Sequence, residues 1–439
     1  VLNQVKVSIT TAKAKKRKKW HHSLVNPMAH VVPFRAVRPT RAIVGLVASR
    51  PYQSYTVEER ESRMDYNPYS FLHVVNPGYK YDKVITGEQR YKLVRNRYLE
   101  FKEDGVFIQD QKPCYYVYKI VNRHQQVFNG IVAAVSAEDY ANNIIRRHED
   151  TISSREETFK TYLKTVGFNA EPVLLTHPDN KVIDNIIKET QKGYAEFEFT
   201  MTYRDTHFLW KIEDQKTIEQ LQGEFNKMER IYIADGHHRS SSSYLLYEEE
   251  KNNNPDYDPE ANYNYFMSYL IPESDLVIYD FNRLVKDLNG LSKEAFLIKL
   301  DELYRIENRG QMPYHPSKPH HFSMYLDGEF YSLYLRKARY SFINSLEKLD
   351  AQLLYKTVLQ PILGIDDLRN DERISYVNGR DEMITIKSSV DSGEYKVGFG
   401  MIPATIDQMK EIADEGLTMP PKSTYILPKL RSGITIYEF

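Results

Sequence analysis

The run Ile231-Tyr232-Ile233-Ala234-Asp235-Gly236-His237-His238-Arg239 constrains this 439-residue chain more than any other segment. An apolar strand ends at Asp235, which opens five polar or glycine residues in succession, Asp235 through Arg239. Gly236 lets the chain turn tightly or lets a ligand approach the backbone. A helix is expected to begin near His237 and to carry the serines Ser240–Ser243. The first N–H groups of a helix lack intrahelical partners, and the helix dipole makes that end positive. With Gly236, His237, His238, Arg239 and Ser240 beside it, such a junction is an anion site, most naturally for phosphate. Asp235 is suited to orient a histidine, to act as a base or to hold Mg2+. The plainer alternative is a helix start whose polar residues merely cap and pair.

Around this junction the periodicity predicts alternating elements. Ala42–Ala48 reads as a buried strand, 56–66 as a helix capped by Thr56, and the runs flanking Asn122–Gln126 as a strand pair. Further helices are expected at 137–147, 181–191, 216–228, 292–304, 341–355 and 404–415. Further strands are expected near 172–175, 195–212, 230–234, 263–271, 321–335 and from 374 to 402. The pattern implies a mixed α/β architecture, α+β rather than a clean doubly wound sheet. Residues 28–290 read as the main domain, and 291–439 as a C-terminal α+β section packed on it.

Charge narrows the partners. The formal net charge is −1, but residues 1–27 hold seven basic side chains and no acidic one. Without them the balance is −1 − 7 = −8. That stretch reads as a non-native or disordered basic leader, and fold reasoning begins at Met28. An acidic body argues against nonspecific nucleic-acid binding. No stretch approaches the ~18 consecutive apolar residues of a transmembrane helix, so no membrane role is expected. Cys114 is the sole cysteine, so there is no internal disulfide and no Cys-rich zinc site. It reads as a buried structural thiol in a reducing cytoplasm.

A second polar cluster is Arg147, His148, Glu149, Thr151 and Arg155. It has the composition of an acid/base and anion-clamping site, with Glu149 suited to take a proton from a hydroxyl. A solvated, salt-bridged approach to a helix is the alternative. Arg204, Asp205 and His207 form a weaker third cluster. The tail Met419-Pro420-Pro421-Lys422-Ser423-Thr424 echoes the end of a P-loop but is not one, because proline offers no N–H to a phosphate. It could still place Lys422, Ser423 and Lys429 near a ligand.

The chain resembles the domain-of-unknown-function family numbered 1015 (DUF1015) over nearly its whole length from Met28. The resemblance rests on Pro33-Phe34-Arg35-Ala36, Arg38-Pro39, Asn67-Pro68-Tyr69-Ser70, Arg147-His148-Glu149 with Thr151, and Ala234 through Arg239. It extends to Met419 through Tyr425, Pro428-Lys429 and Gly433. Where the family usually reads Pro-Tyr-Asp, this chain has Pro51-Tyr52-Gln53. Any catalytic or metal-binding part for that aspartate is lost here. The Asp235–Arg239 element also looks like the phosphate box of the ParB/sulfiredoxin-like superfamily. That likeness implies a ParB/sulfiredoxin-like core with added strands, and a strand–turn–helix that cradles nucleotide phosphates. The superfamily includes kinases of free serine.

The combined expectation is a phosphate- or nucleotide-handling enzyme, a phosphotransferase working in either direction on a small hydroxylated metabolite such as serine. Asp235, His237, His238 and Glu149 are the candidate catalytic residues. Gly236, His238, Arg239, Ser240, Arg147, Lys422 and Ser423 are the candidate phosphate or nucleotide ligands. Mg2+ on Asp235 and ATP or ADP are the expected cofactors. A non-catalytic nucleotide- or phosphometabolite-binding regulator is the alternative.

Overall fold

The computed structural model describes residues 28–378 and 382–439. The basic leader, residues 1–27, lies outside the described residues. The fold is mixed α+β, built on two sheets. The larger has nine strands in the order 145–146, 231–235, 173–177, 265–272, 127–136, 115–121, 206–212 and 197–200, with 31–32 also pairing to 127–136. Most pairs are antiparallel. The exceptions are Ile231–Asp235 beside Ile145–Arg146, and Tyr265–Pro272 beside Val173–His177.

Side chains alternate across these strands, so each contributes to two cores. Val117, Ile131, Ala133, Leu175, Ile231 and Ile233 face helices Lys181–Thr190 and Gln215–Phe225, meeting Ile183, Ile187, Leu221 and Phe225. Tyr116, Tyr118, Val132, Leu174, Tyr232 and Ala234 belong to the core that continues into the C-terminal section through Met409, Ile412, Leu427 and Ile434. The six-stranded second sheet takes its first strand from Phe281–Val285.

The last twenty-one residues, 419–439, are threaded through the molecule rather than trailing from it. Tyr425–Leu427 pairs with Val277–Tyr279, Tyr437–Glu438 with Phe168–Asn169, and single bridges join Met419 to Glu149 and Ser432 to Ser49. Gly433 makes this path possible. Its φ is +80°, and an added Cβ would lie 2.7 Å from the Phe71 ring.

The Thr56-capped helix forms at Val57–Tyr66 with a full capping box to Glu59. The strand pair forms at Tyr115–Val121 and Val127–Ser136. Four expectations are corrected. The helix expected at 341–355 begins only at Asp350, as Asp350–Leu354 continued by Tyr355–Leu359. Ala42–Ala48 is not a strand but holds a helical turn, Val44–Val47, with Val44, Val47 and Ala48 buried at helical spacing. The span 374–402 contains a helix, Glu382–Asp391, between strands Ile374–Asn378 and Val397–Gly400. The 137–147 helix ends at Ala141, and Ile145–Arg146 pairs with Ile231–Tyr232 instead. Among the described residues no helix is long and apolar enough to cross a membrane.

Candidate active site

The strand Ile231–Asp235 runs into the helix His237–Asn253 through Gly236, as its sequence demands. Gly236 has φ +105°, in the region that favours glycine. Its bare Cα is also what lets the Arg239 guanidinium lie close, since an added Cβ would meet the guanidinium at 3.0–3.2 Å. No side chain caps this helix start, and its first turn carries no acidic residue. Helices beginning at Val57, Lys181, Gln215, Lys293 and Ile406 have side-chain caps, whereas those beginning at Gly87 and Ser153, like this one, do not. The first N–H groups here are therefore left for an acceptor from elsewhere.

Asp235 is held on both oxygens. Lys429 Nζ donates to Oδ1 at 3.1 Å, and Arg239 donates to Oδ2 at 3.1 Å. Burial alone would raise its pKa, but Lys429, Arg239 and His148 more than offset that and hold the carboxyl below its usual range. Arg239 is committed as well. It donates to Pro172 O at 2.7 Å and lies 3.4 Å from Glu171 Oε2. It ties the helix to the strand and to Asp235, and a ligand phosphate would have to compete with two carboxylates for it.

Glu149 behaves oppositely. Its side chain is about half exposed, at 47%. Desolvation and the neighbouring Asp235 charge raise its pKa, with Lys422, Arg369 and Lys429 only partly opposing them. The two carboxylates thus sit in one field and are pushed apart in proton affinity.

The histidines take three roles. His237 is buried, and its Nε2 accepts from the His148 amide at 3.5 Å. That leaves the ring proton on Nδ1, 3.6 Å from Glu149 Oε2. Burial, with His148, His238, Arg147 and Arg239 around it, keeps His237 neutral. His148 stacks edge-on to it with ring centroids 4.5 Å apart. Burial holds His148 down to about 4, and its Nδ1 has no partner among the described residues. His238 is half-buried with an unpartnered Nδ1; desolvation and the charges of Arg155 and Arg369 keep it neutral.

Other expected ligands are spread around this centre. Arg147 donates to the Tyr140 hydroxyl at 3.0 Å. Lys422 is exposed, with its ammonium 5.3 Å from the Phe281 ring centroid and its charge acting on Glu149. Ser423 is buried and donates to Pro420 O at 2.7 Å, closing a turn. Ser240 is fully buried and donates to Gly236 O at 3.2 Å. The rest of that serine run is buried too, with Ser241 and Ser242 bonded to Glu156 of the neighbouring helix Ser153–Val166. The serines are small residues at a close helix crossing.

Of the third cluster, Asp205 accepts from Arg431 at 2.6 Å, two residues along from Lys429. His207 is buried against Phe199 and Tyr118, and burial holds it down to about 3. Gln53 is exposed in the short turn Tyr52–Ser54. Among the described residues no three His, Cys, Asp or Glu side chains gather as a metal-ligand set. With a cation on each Asp235 oxygen, these side chains do not fit the expected Mg2+ site. Neither of two concavities is lined by Asp235, Glu149 or the histidines: one of about 450 Å³ is lined by Asn180, Glu224 and Arg230, and the other reaches the expected ligands only at Ser423.

Arg369 and Glu171 were not legible beforehand. Arg369 stands in a polar turn of the C-terminal section, and its NH2 donates to Asp150 O at 3.2 Å.

The chain belongs to the DUF1015 family. That family's model, described as "Protein of unknown function (DUF1015)", matches residues 31–352. No match was found among curated proteins. Among solved structures, a C-terminally truncated SbnI from Staphylococcus aureus is 14% identical, with 69% of this chain and 85% of that one covered at TM-score 0.36. A conserved hypothetical protein from Pyrococcus furiosus is 11% identical, with 70% and 94% covered at TM-score 0.34. A free serine kinase in complex with AMP is 11% identical, with 69% and 91% covered at TM-score 0.32. At scores of this size the likeness carries no argument about this chain.

Proposed function

We propose that this chain is a phosphate- or nucleotide-handling enzyme, a phosphotransferase acting on a small hydroxylated metabolite such as serine. One observation carries the reading. Two carboxylates pushed apart in proton affinity, Asp235 and Glu149, share a cluster with an uncapped helix start and with cations not consumed by ion pairs. That combination suits phosphoryl transfer, where catalysis is positioning and charge stabilisation.

In the proposed step the substrate hydroxyl oxygen attacks the terminal phosphorus of ATP, and the bond from that phosphorus to its bridging oxygen breaks. Glu149 takes the hydroxyl proton and ADP leaves. Glu149 suits the part because it is accessible and its proton affinity is raised. Asp235 remains an anion that fixes Lys429 and Arg239. The N–H groups at Gly236–His238, with His238, Arg147 and Lys422, are the proposed phosphate contacts. His237 accepts from the His148 amide through Nε2 and faces Glu149 through Nδ1, and it acts as a positioning residue for Glu149 and the His148 loop. The tight Asp235-Gly236 turn is what supports a ParB/sulfiredoxin-like box. No step is assigned to Mg2+.

A non-catalytic binder of the same ligands is the second reading. The exposed Gln53, standing where the family usually has aspartate, favours it.

The test is thermal unfolding with ATP, ADP, serine, phosphoserine and pyrophosphate, followed by turnover with the stabilising pair. A ligand at 100 times its Kd stabilises by about 2.7 kcal/mol. Glu149→Gln should lower kcat by about 10²–10⁴-fold while largely sparing nucleotide affinity. Binding without turnover in the wild type would favour the second reading. Equal turnover in wild type and variant would remove Glu149 as the base.

A further inference from the structure

Lys422 stands in a backbone conformation that lysine seldom takes. Its φ is +58°, in the left-handed region where a Cβ is strained. Of the other non-glycine residues there, Asp82, Asn143, Asn289 and Asp327 are of the types that tolerate it. Gln125 and Arg204 lie in connections between paired antiparallel strands, where turns often call for a positive φ. His320 is pinned through its own amide, which donates to Asp350 Oδ1 at 2.8 Å. No hairpin accounts for Lys422. It lies between the single bridge at Met419 and the strand Tyr425–Leu427, whose partner is the distant Val277–Tyr279.

What holds Lys422 comes from the second sheet. Arg283, 1% exposed and on the strand Phe281–Val285, donates to Lys422 O at 3.1 Å. Its other terminal nitrogen donates to Phe281 O and lies 3.9 Å from Met401 Sδ. A buried guanidinium is costly unless it is paired. The other two buried arginines are paired: Arg38 meets Asp110 at 2.9 Å, and Arg431 meets Asp205 at 2.6 Å. Arg283 forms no ion pair among the described residues, and Asp280 acts on it only from beyond ion-pair distance. Two destabilising features, a strained lysine and an unpaired buried arginine, thus meet in one hydrogen bond. Neither is required to close the turn, since Ser423 Oγ already donates to Pro420 O at 2.7 Å. Strain of this kind persists where it places a group for function.

The same turn is tied to the site. Met419, three residues before Lys422, donates its N–H to His148 O at 2.8 Å and bridges Glu149. Pro420 and Pro421 leave the link between Met419 and Lys422 little freedom. The Lys422 turn therefore stands on the Glu149 side of the cluster, with its ammonium exposed and 5.3 Å from the Phe281 ring centroid. Phe281 and Arg283 share one strand, so that strand sets both the backbone of Lys422 and the course of its side chain. A lysine with its backbone fixed beforehand loses less freedom when it meets a phosphate.

We propose that Lys422 is a phosphate-contacting residue held in a strained conformation by Arg283, a positioning residue that the second sheet contributes to the site. This rests on the phosphate-handling reading and deepens it. The C-terminal section supplies one of the ligand's cations, and supplies it preset rather than on a freely moving loop.

The experiment is isothermal titration of the full chain with tripolyphosphate, beside thermal unfolding without ligand, in the wild type, Lys422→Gly, Arg283→Met and the double variant. Lys422→Gly should weaken binding at least about tenfold, because a hydrogen bond to a charged group is lost. Its unfolding midpoint should nevertheless rise by about 1–2 °C, since glycine relieves the strain. Arg283→Met should weaken binding about as much on its own and add nothing in the Lys422→Gly background. An arginine with a merely structural role would weaken binding in both backgrounds. Arg283→Lys keeps the charge but not the fork; it should fall between wild type and Arg283→Met, and it answers the same question if Arg283→Met does not fold. Unchanged affinity or a lowered midpoint in Lys422→Gly would overturn the proposal, as would equal losses from Arg283→Met in the two backgrounds. The functional reading would then stand, because the wild type still binds. No binding of tripolyphosphate by the wild type would overturn both.

Discussion

Gly236→Ala tests the geometry on which the site depends. The φ of +105° lies where a side chain is strained by about 1–3 kcal/mol. The new Cβ would also stand 3.0 Å from Arg239 NH2 and 3.1 Å from Nε. A free arginine would swing away at little cost. This one is pinned by Pro172 O at 2.7 Å and Asp235 Oδ2 at 3.1 Å, so yielding loses part of a charged hydrogen bond, about 1–2 kcal/mol. The expected loss is about 2–5 kcal/mol in all. The two parts separate in a double-mutant cycle, read by urea unfolding of Gly236→Ala, Arg239→Ala and the pair. Removing Arg239 abolishes the clash and leaves the backbone part, so the substitutions should couple by about 1–2 kcal/mol. Strict additivity, within about 0.5 kcal/mol, would refute the claim that Gly236 exists to let Arg239 reach Asp235.

Acid should weaken the fold through His148. An unfolded imidazole protonates near 6.5 and the folded one near 4, so between those values the unfolded state binds the extra proton and stability falls as pH falls. His148→Asn should flatten the stability profile over that window by about 3 kcal/mol; parallel profiles for the two proteins would sink this account. Ser240→Ala should leave ATP affinity within about twofold, because the hydroxyl already serves Gly236 O. A loss of about tenfold in calorimetry would place that hydroxyl on the ligand instead.

What the sequence disclosed was what neighbouring residues decide. The strand–glycine–helix junction at 231–239 depends on a few consecutive residues, and it forms where expected. The Thr56 cap is local in the same sense. The helix Gly87–Glu103 escaped notice because its buried stripe is only Tyr91, Val94 and Tyr98 in a mostly charged segment. Ala42–Ala48 misled for the reverse reason: seven small or apolar residues suit a strand, yet tertiary packing buries only Val44, Val47 and Ala48, at helical spacing. Site residues followed the same division. Asp235, Gly236 and the histidines announce themselves by type and order. Lys429 was noticed, but its bond to Asp235 spans 194 residues, and the Arg369 bond to Asp150 spans 219. No pattern along the chain encodes contacts closed by folding.

The division of labour between the two carboxylates follows from those long-range contacts. Viewed as sequence, Asp235 and Glu149 are equal candidates for a base. Folding then places Lys429 and Arg239 on Asp235, which stabilises its anion and makes it a poor proton acceptor. The same anion, fixed beside Glu149, raises the proton affinity of the second carboxylate. Lys429 therefore acts on Glu149 in two opposing ways: directly it favours the Glu149 anion, and indirectly it maintains the Asp235 charge that disfavours it. Neutralising Asp235 as Asp235→Asn removes the raising charge and frees Lys429 at once, so both changes lower the Glu149 pKa. On the proposed mechanism the acid limb of the pH–rate profile then moves to lower pH. An acid limb that stays in place in Asp235→Asn would mean that the titrating base is not Glu149.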